Sequence, residues 1–483
     1  MLRTLILKEI RDSVSTLKFV LTFMVVVVLV ISGLVLGSKN YLEQRGEVNK
    51  QRQLNQKMLE SQFDWLNAGW AGVIESKKPF VLSTVDNGID NSLGRLAYVD
   101  TLNDARLDES RNLVSPILAV FGEVDLTFVV KIILSLFVIL LTYDAVSGEK
   151  ERGTLKLALA NKIPRYQILL GKILGGFTVI AFSFILPLLF GLAFMMGFYN
   201  EVLADFNTDA WWRLLIIVAA YLLYLAVFFA LGIFVSSLSH RSSTSFVVLL
   251  VIWVLFVTII PRISLATSER IKPYESYTAL QTKAYKEVSE KRAAVMDEFL
   301  PKFIQIRNRS MMQAFMGGGG QQEPTTEISE MMTDFWRQLG DVQREVMDYY
   351  DRQYERQQRS QIELAESMAR FLSPTSAMSF AVQSLAGSGW ARQREYIDQL
   401  RKFRIDFMNY VFEKAEAVEY HSMWDMMDKQ KLDVDIGRVS FEFREETLGT
   451  VFSRAMIDMA VLALMSIVFF AASFVAFIRY DVR

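Results

Sequence analysis

The run LKFVLTFMVVVVLVISGLVLG, residues 17–37, decides the class of this protein. A helix that crosses a bilayer needs about 20 mostly apolar residues, and this stretch supplies them. Arg3, Lys8 and Arg11 precede it in the manner of a secretory signal, but the apolar run is too long and no small-residue cleavage site follows, so it reads as a retained anchor. Working outward, the same criterion predicts six transmembrane helices, at 18–37, 127–144, 172–198, 211–237, 245–263 and 453–478. The bulk composition agrees: 52% of the 483 residues are hydrophobic, with a mean hydropathy of +0.24, as in membrane proteins. The 52 basic and 53 acidic residues cancel, and no basic run with interleaved aromatics points to nucleic acid. The absence of cysteine excludes disulfides, thiolate zinc sites and cysteine nucleophiles, and His240 and His421 leave little room for histidine chemistry.

Short loops set the orientation, because long translocated segments escape the positive-inside rule. Between spans two and three stand Lys150, Arg152, Lys156, Lys162, Arg165 and Lys172, whereas the loop after span three holds Glu201, Asp205 and Asp209 and no base. Residues 145–171 are therefore expected in the cytoplasm, together with an interfacial helix at 1–17, the loop carrying His240 and Arg241, and a tail at 479–483. The chain reads as an integral plasma (inner) membrane protein with both termini cytoplasmic.

Two large extracytoplasmic segments follow from this topology, at 38–126 and 264–452. The first opens with a polar helical pattern from Lys39 to about Trp65 that prolongs span one, and then offers a strand at Lys78-Pro79-Phe80-Val81-Leu82-Ser83 before the turn residues Asp86-Asn87-Gly88. In the second, Tyr277, Leu280, Ala284, Val288, Val295, Phe299 and Phe303 recur at helical spacing, and so do Met331, Phe335, Leu339, Val342 and Val346. Gly317 to Gly320 divide the two patterns, so the segment predicts a long antiparallel helical hairpin with arms of roughly 45 residues that pack on each other. Pro301 should kink the first arm, Thr325 or Thr326 should start the second, and Ser373-Pro374 should close it. The polar stretch from Asp351 to Gln361 reads as solvated. A further helix is expected from Trp390 to about Ala417, and an irregular or strand-like piece from Gly437 to Phe443 leads to span six. Pro187 should kink span three and Pro261 should break span five; Lys131 and Asp458, near the outer span ends, either act as charges in a pathway or, in the preferred reading, snorkel to the interface.

The stretch Asp144-Ala145-Val146-Ser147-Gly148-Glu149-Lys150-Glu151-Arg152-Gly153-Thr154-Leu155-Lys156-Leu157, continuing to Pro164-Arg165 and Leu170-Gly171-Lys172, resembles the loop between the second and third spans of the ABC-2 family of transporter permeases. Lys8-Glu9-Ile10-Arg11 before span one, the six-span plan and the terminal Arg479-Tyr480-Asp481-Val482-Arg483 extend the resemblance over the membrane part. It implies a mainly α fold, a dimer with a second permease (homo- or heterodimer), and a separate ABC ATPase subunit, in two copies, that binds ATP and Mg. Physically, a short charged helix tied to two spans can take a push from such a motor. Glu149, Lys150, Glu151, Arg152 and Thr154 are the candidate polar contacts, while Leu155, with Leu157 and Leu159, can pack into a groove. Residues 3–16 form a second candidate, with Leu5, Ile6, Ile10 and Val14 near one face and Arg3, Lys8, Glu9, Arg11 and Asp12 largely elsewhere; this helix either steadies the motor or anchors the terminus.

No GxxxxGK[ST] phosphate loop occurs, and the glycine run 317–320 precedes Gln321-Gln322, so no cofactor site is expected in this chain. HExxH and GxSxG are absent too, and the two histidines fall in different compartments, which leaves no metal or catalytic constellation. The reading is an exporter permease moved by a partner ATPase, with a lipid, lipoprotein or hydrophobic peptide as suitable cargo. Its alternative is a mechanotransmission protein that moves its external segment to regulate an envelope protein partner without transport. Membrane lipid surrounds the spans in either case.

Overall fold

The structure, a computed structural model, describes residues 2–62, 65–90, 95–101, 106–107, 125–160, 164–315, 323–416, 432 and 434–479. Six of its helices are long and apolar enough to cross a membrane, and the fold is that of a mainly α membrane protein. The chain divides into two compact units, residues 1–261 with 370–483, and residues 262–369. The glycines at 317–320, His421 and residues 480–483 lie outside the described residues.

The first unit opens with α1 (Leu2–Val14) and α2 (Leu17–Glu60), a single helix of 44 residues that carries span one and the polar pattern after it without a break. Thr16 caps α2 by accepting the Phe19 N–H at 3.2 Å. After α3 (Trp65–Ala71) come β1 (Val73–Ser76), β2 (Leu96–Val99) and β3 (Arg106–Leu107), an antiparallel sheet in the order β1-β2-β3 with Val73 opposite Val99 and Glu75 opposite Ala97. The strand expected at 78–83 is thus displaced to Val73, where β-branched residues suit a ladder. Pro79 has no N–H to give one, and Val81–Thr84 closes into a 3-10 turn. The outer edge of β1 is covered by a side chain of α2: Asn55 donates to the Ile74 carbonyl at 2.7 Å and accepts its N–H at 3.1 Å, as a neighbouring strand would.

Span two comprises α4 (Leu126–Phe128), a π-helical stretch Val129–Leu134, and α5 (Ser135–Thr142). The short helices α6 (Ser147–Glu151) and α7 (Thr154–Ala160) lead to α8 (Arg165–Phe198), which runs through Pro187. Then follow α9 (Asn200–Ala204), α10 (Thr208–Leu238), α11 (Ser242–Val254), a second π-helical stretch Leu255–Ile259, and α12 (Ile260–Ile271). Pro261 does not break this fifth span. The wider π turn lets the chain pass the ring, and the Phe256 carbonyl, whose i+5 donor is the missing proline N–H, accepts the Ser373 hydroxyl at 2.6 Å.

The unit is completed by α15 (Pro374–Ala386), α16 (Trp390–Glu416), α17 (Ile436–Val439) and α18 (Leu448–Ile478), the sixth span. The piece at 437–443, expected as irregular or strand-like, begins within the single turn of α17 and continues as irregular backbone from Ser440. Helix α10 lies deepest, with Tyr221, Tyr224 and Phe228 fully buried. A Cβ at Gly232 would lie 2.0 Å from Thr142 Oγ1, so the Thr142 side chain of α5 packs directly on the α10 backbone there. Such small-residue contacts hold spans together where lipid offers no hydrophobic drive. Helix α15 is not anticipated from the sequence: at 13 residues it is too short to span, yet Ala377, Met378, Ala381, Val382 and Leu385 are buried in the same core as the spans. Asp458 does not snorkel. It is 2% exposed and paired with Arg370, because α18 turns it inward to a cation that offsets its burial.

Leu59, Trp65, Val73, Val99, Tyr396, Leu400, Phe407 and Phe441 form a separate core in which α16 and the end of α2 enclose the sheet. Trp65 meets Tyr410 edge-on, with centroids 5.4 Å apart.

The second unit contains the hairpin, α13 (Tyr277–Phe315) and α14 (Glu323–Leu372) as far as Ala369. Its arms are 39 and 50 residues long rather than equal. They run antiparallel, as Tyr277 against Tyr354, Glu287 against Tyr350 and Phe299 against Phe335 establish. Helix α13 continues through Pro301, and α14 starts at Glu323, so Pro324 sits in the first turn, where its lack of an N–H costs nothing. Gln361 is buried rather than solvated and donates to the Lys272 carbonyl at 3.0 Å.

Candidate functional site

Residues 143–160 and α1 converge at one end of the first unit. Helix α6 starts where the Ser236 hydroxyl of α10 accepts the N–H groups of Val146 and Ser147, both at 3.0 Å, and donates to the Tyr143 carbonyl at 3.0 Å. It stops at Gly153, whose φ of 72° is left-handed and natural to glycine at a helix C-terminus. The break lets α7 leave in a new direction.

Glu149 and Lys150 are half-buried, and each of the candidate polar residues is tied back to the protein by its side chain. Glu149 accepts from Lys172 of α8 at 2.8 Å, and the same ammonium reaches Glu9 of α1 at 3.1 Å. Lys172 is only 6% exposed, and each carboxylate is about four-fifths buried, so one cation joins α1, α6 and α8. Lys150 donates to the Ser237 carbonyl and, at 3.3 Å, to that of Ser239, at the end of α10. Glu151 accepts the N–H of Ser242 at 3.2 Å and its hydroxyl at 2.9 Å, which caps α11. Arg152 donates back to the Gly148 carbonyl at 3.1 Å, and Thr154 to that of Glu149 at 3.3 Å. Leu155 is fully buried, whereas Leu157 is 69% exposed. The outward face of the loop is therefore Glu151, Arg152, Thr154, Lys156 and Leu157, while Glu149, Lys150 and the carboxylate of Glu151 grip spans three, four and five.

Helix α1 docks on α8 across two glycines. A Cβ at Gly171 would stand 2.9 Å from Leu5 Cβ, and one at Gly175 would stand 2.9 Å from Glu9 Cβ and 3.0 Å from the Ile6 carbonyl oxygen. The docked face thus contains Leu5, Ile6, Glu9 and Ile10. Glu9 belongs to it, contrary to the amphipathic reading, because Lys172 supplies the countercharge; Val14, expected on that face, is 41% exposed. Lys8 and Arg11 point away from it, exposed beside Leu7.

The sequence profile of ABC-2 family transporter proteins matches residues 3–482. The chain belongs to the ABC-2 transporter family. This ABC-2 chain is also 32% identical over 133 residues to the "Probable ABC transporter permease protein NosY" of Pseudomonas aeruginosa. That alignment covers 28% of this chain and 47% of the relative, so the ABC-2 chain matches about half of the relative's length.

A second buried polar cluster of the ABC-2 chain lies beside the sheet. Lys77, fully buried, donates to Asp90 at 2.5 Å and to Gln393 at 2.8 Å, and Arg392 pairs with Glu445 at 2.5 Å while lying 3.9 Å from Asp90. Burial pushes the Lys77 ammonium down to about 8, against the pull of Asp90. Burial alone would raise the Asp90 carboxyl, but Lys77, Arg392 and Arg95 together hold it below its ordinary value. Sequence reasoning missed this cluster, since its members come from positions more than 300 residues apart with no local pattern. The glycine pair at 171 and 175 was also missed, although its small-xxx-small spacing is a readable signal.

Proposed function

We propose that this chain is the permease subunit of an ATP-driven exporter, and that α6, α7 and α1 receive the motion of a separate ABC ATPase. Both termini and residues 145–171 face the cytoplasm in this reading, 38–126 and 264–452 lie outside, and two ATPase copies bind ATP and Mg beneath a permease dimer. The arrangement that carries the proposal is the division of the loop into an outward face and an inward grip. Lys156 and Leu157 are free to meet a soluble partner, while Glu149, Lys150 and Glu151 each bind a different span. A force on the loop then reaches spans three, four and five at once. The permease itself needs no nucleotide chemistry, in keeping with the missing phosphate loop.

Gentle extraction and purification of the tagged chain tests this reading. A soluble ATPase should co-purify, and liposomes holding both should move a co-purified lipid or peptide only with ATP. A stable chain that brings down no ATPase overturns it. The compact hairpin unit favours a second reading, mechanotransmission, in which hydrolysis responds to an envelope protein and no cargo moves.

A further inference from the structure

Glu75 lies on the buried face of β1 beside Val73, 3% exposed, with Tyr396 of α16 facing it. Its Oε1 has no hydrogen-bond partner. Buried carboxylates of this kind cannot stay charged at ordinary cost, so they bind a proton or acquire a cation. The cation at hand is Arg52 of α2, whose Nε is likewise buried without a partner and whose Nη2 makes a long bond of 3.4 Å to the Phe441 carbonyl. The N–H side of the same Phe441 faces Glu75 and favours its charged form. One residue, Phe441, thus stands between the acid and the guanidinium.

We propose that Glu75 is a proton-operated latch: neutral, it rests in the apolar core and leaves Arg52 on the Phe441 carbonyl; ionised, it draws Arg52 away and reties α2 to the sheet. In the forward step the Glu75 O–H bond breaks, the proton passes to solvent, and the carboxylate gains Arg52 as its counterion. The link matters because Arg52 belongs to the helix that carries span one, and Phe441 to the segment that enters span six.

The surroundings set the pH at which this happens. Burial pushes the Glu75 carboxyl up to about 7, with the Phe441 N–H and Arg52 opposing it. Tyr396 faces it from α16, and burial and then Glu75 itself raise that phenol. Arg95 approaches from the residue before β2, and its carbonyl accepts from Tyr396 at 3.4 Å and from the Lys77 N–H at 2.9 Å. Beyond Tyr396 stand Lys77, Asp90, Arg392 and Glu445, of which Lys77 titrates separately at about 8. A carboxyl raised in the folded state makes stability fall as pH rises from its unfolded value to about 7, whereas Lys77 acts only above about 8.

The cysteine-free chain allows spin labels at Gln53→Cys on α2 and Glu442→Cys beside Phe441, both exposed positions. In the full-length protein, the distance distribution between them should shift from mildly acidic to mildly alkaline buffer with a midpoint near 7. Glu75→Gln should keep the acidic distribution at every pH, and Arg52→Gln should abolish the shift. Infrared difference spectra of the unaltered chain supply a readout that no substitution can spoil: a buried carboxylic acid band should disappear over the same range, and Glu75→Asp should displace it. The proposal is overturned if Glu75→Gln responds to pH as the parent does, or if no buried carboxylic acid titrates near neutrality.

Discussion

Glu149 holds Lys172 at 2.8 Å, and from the other side Glu9 takes the same ammonium at 3.1 Å. Removing one partner of a buried ion pair costs about 3–5 kcal/mol, because the remaining charge stays buried. Lys172→Met leaves two carboxylates facing each other and should loosen α1, seen as faster tryptic cleavage at Lys8 and Arg11. Glu149→Gln keeps Glu9 on the lysine and should cost less, about 1.5–3 kcal/mol for one charged hydrogen bond. Equal cleavage rates for the parent and Lys172→Met would count against this arrangement.

At Gly175 a new methyl group meets Glu9 Cβ at 2.9 Å and the Ile6 carbonyl oxygen at 3.0 Å, and the latter is backbone that cannot rotate aside. Gly175→Val should therefore displace α1 with an overpacking cost of about 1–3 kcal/mol. Protease sensitivity of α1 again reports it, and Gly197→Val, where nothing lies within 4 Å, is the control that should leave cleavage unchanged.

Leu155 and Leu157 separate structure from docking. Leu155→Ala empties a fully buried site and should destabilise the protein by about 2–5 kcal/mol. Leu157→Asp touches a side chain that is 69% exposed, so the melting temperature should hold while recovery of the ATPase on the tagged permease falls severalfold. Loss of thermal stability in Leu157→Asp would place that residue in the core instead.

Arg370 and Asp458 predict a non-additive pair. Asp458→Asn leaves the Arg370 charge partly buried, at 22% exposure, without its carboxylate and should lower the melting temperature. Adding Arg370→Gln removes the stranded charge and should restore much of the loss. A double mutant that is merely the sum of the singles would show that the two do not act together.

The six spans were legible because about 20 consecutive apolar residues exceed what a strand or a core helix of a water-soluble domain requires. The hairpin was legible because Leu280, Ala284, Val288 and Phe299 mark one helical face. Helix α15 escaped notice because its 13 residues are too few for a span and its polar Thr375 and Ser376 break the apolar signal, although Ser373 and Gly387 mark its two ends. Glu9 and Asp458 mislead for a common reason: hydropathy assigns a charge to the surface, and only tertiary structure reveals the lysine or arginine that lets it stay inside. The attachment of Glu149, Lys150 and Glu151 to the spans was invisible in the same way, since their partners lie between 23 and 91 positions away.

Helix α2 has 44 residues without an interruption, a length of about 66 Å at about 1.5 Å per residue. Its first turn lies beside α1 and Tyr143, and its last turns touch the sheet through Asn55. A stiff body of that length works as a lever: a tilt of about 5° at one end carries the other about 6 Å sideways. Rotations too small to disturb the packing around Lys18 are thereby enlarged into displacements the size of a side chain where α2 meets β1.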